Sequence, residues 1–449
     1  MQKIFIKNNG PIKEFEMEIR DVNLLIGEQS SGKSTIAKSI FFFRNLKTLL
    51  TNFLIQIAET GLYNGHNVKG KKFYKLLGEE TKTVFIKLFG YSWDLNPDFY
   101  MRYDFTKEIF LTVNLGTWIR NEKKYICLQY SPELTKKIQE LTEESFTFHN
   151  AQKTGSLNLA LEQEMRNRNR AFIMNRISEV FEDDFATYYI PAGRSLLTVM
   201  SASRGVMNQA QNLDLITDQF MGLIDSIRGS FMEGINGAYR FYPSAKRPFD
   251  VHQLSKKIIE MQKGEYFATK NGEELRLAAS SIKINFMSSG QQELLWLINF
   301  LYVLILRQEK AFVIVEEPEA HIYPTLQNEI VNFLISYVNL CSGRLFCTTH
   351  SPYVLSSINN SFYAGYIFSK GEKYVKQVKD IIPQSSIIKN NCLSAIKLYS
   401  GNTKEKQFES LVEKNEGEIK SEMIDEVSDK INEIYTKLYS VLLDNEDDE

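Results

Sequence analysis

The chain has 449 residues, is 43% hydrophobic and 24% charged, and carries a net charge of −2 at pH 7. It is longer than one ordinary domain, suits one large α/β domain with an insertion, and has the composition of a soluble globular protein. The near-neutral charge excludes a globally basic nucleic-acid binder, so any DNA contact has to come from a local patch.

The N-terminus, MQKIFIKNNGPIKEF, carries Lys3 and Lys7 and has no long apolar run, unlike a signal peptide. No stretch reaches the roughly 18 uninterrupted apolar residues of a membrane span. Cys127, Cys341, Cys347 and Cys392 show neither a CxxC pair nor framework spacing, as expected of thiols in a reducing compartment. The expectation is a cytoplasmic protein without membrane contact.

In chain order, KIFIK, FEMEI and VNLLI read as short strands, the last running into the glycine-rich GEQSSGKST. Residues 34–58 have helical apolar spacing at Ile36, Ile40, Phe43 and Leu46. VFIKLFGYSW, FYMRYDF, IFLTVNLG and KKYICLQY, rich in aromatic and β-branched residues, predict strands from about 84 to 130. Residues 132–182 predict helix, with Met165, Phe172, Ile173, Ile177 and Val180 on an apolar face. A strand at TYYIP and helices to about 235 follow. EYFATK, ELRLAAS and IKINF predict strands, the first two joined by the turn Asn271–Gly272. The last third alternates helix and strand, which predicts a mostly parallel sheet wrapped by helices. The pattern divides the chain into an N-terminal lobe (1–130), a mainly helical insertion (131–240), a C-terminal lobe (241–370) and an α/β extension (371–449). The extension ends in DNEDDE, expected to be frayed and solvated.

Gly27, Gly32, Lys33 and Ser34 fit G-x-x-x-x-G-K-[ST] in full. Such a loop turns backbone N–H groups inward at a helix N-terminus, where the dipole also favours anions. Glu28, Ser30, Ser31 and Thr35 complete the loop. Lys33 would reach the β- and γ-phosphates of ATP, and Ser34 would ligate Mg²⁺. In AFVIVEEPEAHIYP, two carboxylates follow a buried strand at the edge where open α/β sheets bind ligands. Glu316 would help position the cation and its waters, and Glu317 would polarise the attacking water. RLFCTTHSPYVL brings His350 to a neighbouring strand end, where it can hydrogen-bond the γ-phosphate or the water.

Ser288, Ser289, Gly290 and Gln291 open a second apolar helix and form a second anion site. One ATP already held by Lys33 cannot use both helix mouths. The economical solution is a homodimer in which Ser288 and Gly290 of one subunit cap the γ-phosphate bound by the other. A plain N-cap at Ser288 or Ser289 would explain only the helix start.

Together these motifs resemble the ABC-type ATPases of the SMC and Rad50 kind, with M-S-S-G-Q in place of L-S-G-G-Q. EEPEAHIYP followed by TTHSPYVL resembles the AAA15/AAA21 group that includes the OLD-family nucleases. The resemblance implies an α/β P-loop ATPase head with a mixed-sheet core, β-rich N-terminal lobe and helical insertion. Glu316 stands where the family has aspartate, which implies a water-mediated metal contact. PEAH in place of S-A-L-D argues against a transporter. No Q-loop glutamine stands out; YYIPAGRSLL is the best positional candidate, with Arg194 as a sensor of nucleotide or partner.

The residues after His350 lack the acidic pattern of a Toprim nuclease. The resemblance therefore implies a stand-alone ATPase of the PARIS or Septu type, a sensor and scaffold for a separate effector nuclease or toxin in anti-phage defence. A phage-encoded trigger and a ring larger than a dimer fit that reading, and DNA is possible but not required. The rival is a RecF-like repair ATPase that clamps DNA as an ATP-bound dimer. Arg166 and Arg170, at i,i+4 in QEMRNRNRAFIMNRISEV, form an ordinary solvated face or a contact for DNA or for an acidic protein such as a phage DNA mimic or the effector, with only non-specific, salt-sensitive affinity for DNA.

Overall fold

The computed structural model describes residues 1–66, 72–91, 96, 98–117, 124–154, 159–202, 213–242, 251–400, 407–412 and 419. The acidic tail lies outside the described residues.

A six-stranded sheet forms the centre, in the order Phe408–Ser410, Leu393–Leu398, Val22–Gly27, Arg344–Thr349, Ala311–Glu316, Ala186–Ile190. Neighbours pair in parallel except Phe408–Ser410, which is antiparallel to Leu393–Leu398. Every residue of Ala311–Glu316 is buried, as befits a parallel strand covered on both faces. Val313 and Val315 pack into a core with the helix Ser289–Arg307, while Phe312 and Ile314 face the helix Lys33–Thr60. That alternation is the two-residue period of a strand. The register pairs Glu316 with Thr348 and Thr349 with Ile26, so the acidic strand, the histidine strand and the phosphate-loop strand end along one edge. This is the carboxyl edge, where such sheets take their ligands.

An antiparallel sheet in the order Ile12–Glu18, Lys3–Asn9, Tyr100–Asp104, Phe110–Thr117, Lys124–Tyr130 forms the β-rich lobe. A three-stranded antiparallel sheet, Ser281–Lys283, Gly272–Arg276, Glu265–Thr269, carries the Asn271–Gly272 turn. Gly272 takes φ 102, a conformation that suits glycine there. Helices Pro132–Thr154 and Leu159–Phe181 lie against Lys33–Thr60.

One expected strand is a helix. VFIKLF closes the helix Lys72–Phe89, and Gly90 follows at φ 62. Leu77, Thr81, Val84, Phe85 and Leu88 are buried at spacings of three and four, and Phe85 meets Phe42 edge-on at 5.2 Å. Packing against the long helix overrides the β-propensity of Val, Phe and Ile. On Leu159–Phe181, Ile173, Ile177 and Val180 are buried as expected, but Phe172 is exposed beside Phe148.

A buried ionic cluster fastens the long helix to the two sheets. Arg44 Nη1 lies 2.8 Å from Asp183 Oδ2 and Lys47 Nζ 2.9 Å from Asp183 Oδ1, with both Arg44 and Asp183 side chains 0% exposed. Gln2 donates to Asp183 at 2.7 Å and accepts from Arg44 and from the Tyr103 hydroxyl. Burial opposes ionisation of Asp183, but Arg44 and Lys47 prevail and hold its carboxyl well below the usual range.

Candidate nucleotide and hydrolysis site

The phosphate loop joins Val22–Gly27 directly to Lys33–Thr60. Ser30 at φ 59 and Gly32 at φ 100 turn the backbone, and Gly32 starts the helix without any side-chain cap. The first N–H groups of a 28-residue helix thus keep no side-chain acceptor at that cap, the arrangement that favours an anion. A Cβ on Gly32 would stand 2.3 Å from Ile12 Cδ1, and one on Gly27 2.4 Å from the Leu398 carbonyl. Gly27 thus has no room for a side chain against fixed backbone, and Gly32 at φ 100 holds a conformation that other residues rarely adopt. Glu28 accepts from the hydroxyl of Ser400, just beyond the neighbouring strand Leu393–Leu398.

Lys33 is 5% exposed. Its ammonium donates to the carbonyls of Gly27 at 2.8 Å and Glu28 at 2.7 Å, and lies 3.3 Å from His350 Nδ1. Burial lowers its pKa to about 8, against the opposing pull of Glu317, Glu319, Glu28 and Glu316. The protonated amine has only donors, so it makes Nδ1 of His350 an acceptor and places the ring proton on Nε2. That proton points to Glu317 Oε1, 3.1 Å away. Lys33, His350 and Glu317 thus form one connected chain.

Two further groups hold this chain. Glu317 sits at φ 43, in the left-handed region, with its N–H donating to the Thr348 carbonyl at 2.9 Å. Glu319 accepts from the Thr349 hydroxyl at 2.7 Å and the His350 N–H at 2.8 Å, fixing the histidine turn. Glu319 was not singled out from sequence; its signal was a third acid in EEPEAH.

Glu316 is buried, with the Ala192 N–H 3.5 Å from its Oε2 and the buried Tyr189 hydroxyl as its side-chain neighbour, and no hydrogen bond of ordinary geometry reaches its Oε1 among the described residues. A buried carboxylate oxygen without a donor is costly, and a cation or cation-bound water at this edge supplies the missing partner. The acceptor left open on Glu316 fits a Mg²⁺ ion or a water bound to it. Burial and the nearby Glu316 also push the Tyr189 hydroxyl well above its usual value.

Ser288 caps the helix Ser289–Arg307 in a capping box: its Oγ accepts from the Gln291 N–H at 3.4 Å, and its own N–H donates to Gln291 Oε1 at 3.3 Å. Ser288 and Ser289 are exposed, and Gly290 abuts the EEPEAH turn, where a Cβ would stand 2.7 Å from the His321 carbonyl. Phe286 and Tyr323 stand 78% and 76% exposed beside this helix start and that turn. The structure thus joins Lys33, His350, Glu317 and Glu316 at one edge, while Ser288 and Gln291 close on each other.

Arg194, expected to sense nucleotide or a partner, is 0% exposed and bonded to protein on every side. It is a brace inside the core, because its partners are main-chain carbonyls and the buried Glu293. On the basic helix, Arg170 is paired with Glu59 at 2.6 Å and Arg176 with Glu144 and Glu179. Arg166 and Arg168 remain exposed there.

No helix among the described residues is long and apolar enough to cross a membrane. No curated protein sequence matches the chain. Among solved structures, it is similar to an SMC head bound to the C-terminal winged-helix domain of ScpA, at 11% identity over 79% of this chain and 90% of that one, TM-score 0.38. The SMC head domain from Thermotoga maritima matches at 12% identity over 79% and 90%, TM-score 0.32. An SMC head with an extended coiled coil, bound to the C-terminal domain of ScpA derived from Pyrococcus furiosus, matches at 12% over 80% and 92%, TM-score 0.33. The AAA_15 family, an AAA ATPase domain, matches residues 1–196 and 206–355, a span that holds the phosphate loop, both carboxylates and His350. With its phosphate loop, central α/β sheet and β-rich lobe, the chain belongs to the AAA_15 family, an AAA ATPase domain.

Proposed function

We propose that this protein binds and hydrolyses ATP, and that it does so as a dimer closed through nucleotide. The single observation that carries hydrolysis is the Lys33–His350–Glu317 chain, which places a phosphate-binding cation and a proton acceptor at the two ends of one imidazole. Lys33 and the loop N–H groups hold the β- and γ-phosphates. Glu317 orients the attacking water and takes its proton, while His350, held by Glu319, steadies Glu317 and is placed to meet the γ-phosphate. Ser34 and Glu316 would hold Mg²⁺, which when bound neutralises charge on the phosphates. Ser288 to Gln291 of a second copy would close the site from outside, a role suited to their exposed helix start.

The resemblance of EEPEAHIYP and TTHSPYVL to the OLD group extends the reading to a sensor and scaffold that controls a separate effector nuclease in bacterial anti-phage defence. Among the described residues, Arg170 and Arg176 are paired with acids and only Arg166 and Arg168 stay exposed without such a pair in the same helix, which leaves a thin basic surface for a DNA clamp on the insertion.

The test is the mass of the Glu317→Gln protein with ATP and Mg²⁺, expressed together with its neighbouring gene. A large complex containing the neighbour's product supports the scaffold. A bare dimer that captures DNA moves the function to repair, and a monomer with bound ATP overturns the dimer.

A further inference from the structure

Arg194 and Glu293 form a buried pair, both side chains 0% exposed, with Nε 3.2 Å from Glu293 Oε2. The Glu293 carboxylate accepts the N–H groups of Arg194 at 3.1 Å and Ser195 at 3.0 Å. It thereby satisfies the first turn of the helix Arg194–Ala202. The guanidinium donates to four main-chain carbonyls: Glu293 at 3.0 Å, Pro191 at 2.9 Å, Glu316 at 2.7 Å and Glu317 at 2.9 Å. A buried ion pair is weak evidence for stability alone, because both charges lose their water. What this pair does is join three segments: the start of the helix Arg194–Ala202, the helix Ser289–Arg307 and the Glu316–Glu317 peptide.

The Glu317 backbone needs such support. A non-glycine residue at φ 43 persists only where its surroundings over-determine it. Two of its bonds are local to the acidic and histidine strands: Glu317 N–H to Thr348, and Ala320 N–H to the Glu317 carbonyl at 3.1 Å. The third comes from Arg194. The same side chain grips Glu293, one turn into the helix that Ser288 caps. One guanidinium therefore spans from the signature-like helix to the peptide that carries the candidate water-activating carboxylate.

We propose that Arg194 is a positioning residue: with Glu293 it sets the left-handed backbone of Glu317 and couples it to the Ser288–Gln291 helix start. Engagement of that helix start by a second copy is thereby transmitted to the Glu317 carboxylate. This rests on the hydrolysis reading above.

Arg194→Lys keeps a cation for Glu293 but cannot hold the Glu316 and Glu317 carbonyls together. ATP affinity should stay within about twofold of wild type while kcat falls at least about tenfold. Combined with Glu317→Gln, it should bring no further loss, because both act through one carboxylate. In the nucleotide-free protein, amide hydrogen exchange over 317–320 should speed up. Glu293→Gln, which keeps the side-chain length but only one of the two capping oxygens, should show the same split, and it decides the matter if Arg194→Lys fails to fold. Wild-type kcat, an additive loss in the double variant, or unchanged exchange overturns the proposal. A wild type without ATPase activity overturns the functional reading instead, and the exchange result then judges the brace separately.

Discussion

His350 Nε2 lies 3.1 Å from Glu317 Oε1, while its other ring nitrogen lies 3.3 Å from Lys33 Nζ. A neutral imidazole has one donor and one acceptor, so this contact pair has a direction: the lysine fixes the tautomer, and the tautomer presents a proton to the carboxylate. Nucleotide phosphates that draw Lys33 away would release His350 from one side only.

Glu317→Gln keeps the side-chain size and an oxygen for the His350 proton but removes the base. Hydrolysis should fall by about 10²–10⁴, the range for loss of a positioned general base, with ATP affinity preserved. Single-turnover phosphate release measures the first and calorimetry the second. A wild-type rate would remove Glu317 from the chemistry.

Nucleotide affinity should depend on pH through Lys33. Burial lowers this amine to about 8, whereas an unfolded lysine titrates near 10.4. Phosphates bind the charged form, so affinity should be flat just below pH 8 and weaken as pH rises through it, by up to about tenfold per unit. The same lowered pKa makes the folded state bind fewer protons than the unfolded state between these values, so this group's contribution to stability rises with pH there. Calorimetry with ATP from pH 7.5 to 9.5 checks the affinity. Lys33→Ala should lose binding, and any binding kept by Lys33→Arg should show no such decline.

Ser288→Arg should spare ATP binding and stop hydrolysis, since Ser288 closes on Gln291 and not on the phosphate loop of its own chain. Mixing it with the Lys33→Ala protein should restore part of the activity, because the hybrid pairs an intact loop with an intact helix start. A mixture as inert as its components would mean that Ser288 acts within one chain or not at all.

Asp183→Asn should destabilise the fold by about 3–5 kcal/mol, as expected when one partner of a buried ion pair is removed and the other charges stay. Arg44 and Lys47 would be the stranded charges. Because the folded Asp183 carboxyl is held below its unfolded value, its contribution is complete above about pH 4 and is lost as pH falls further. Urea unfolding at pH 7 measures the first effect, and a pH series the second.

The phosphate loop was legible because its chemistry is written in side-chain identity: Gly27, Gly32 and Lys33 each have a role that another residue fills poorly. The parallel core was legible from AFVIVE and RLFCTT, whose burial on both faces leaves an unbroken apolar run. The contacts of Arg194 were not legible because its ligands are mostly carbonyls, which every residue has, so no sequence pattern marks them. Glu293 carried a signal in hindsight, as the lone acid in an apolar helix, and so did Arg44 within FFFRNL. VFIKLF was misread because its neighbours in space, above all Phe42, decided between helix and strand. The limits drawn from pattern cut across the central sheet, which takes strands from all four segments.

That interleaving has a consequence for synthesis. The strand Val22–Gly27 is among the first made, yet both its partners, Arg344–Thr349 and Leu393–Leu398, come from the far part of the chain. At bacterial and eukaryotic elongation speeds, its edges stay open for roughly 15–75 s after they leave the ribosome. An unfinished chain therefore carries the phosphate-loop sequence without a working pocket, and it cannot respond to ATP until nearly all of it has been translated.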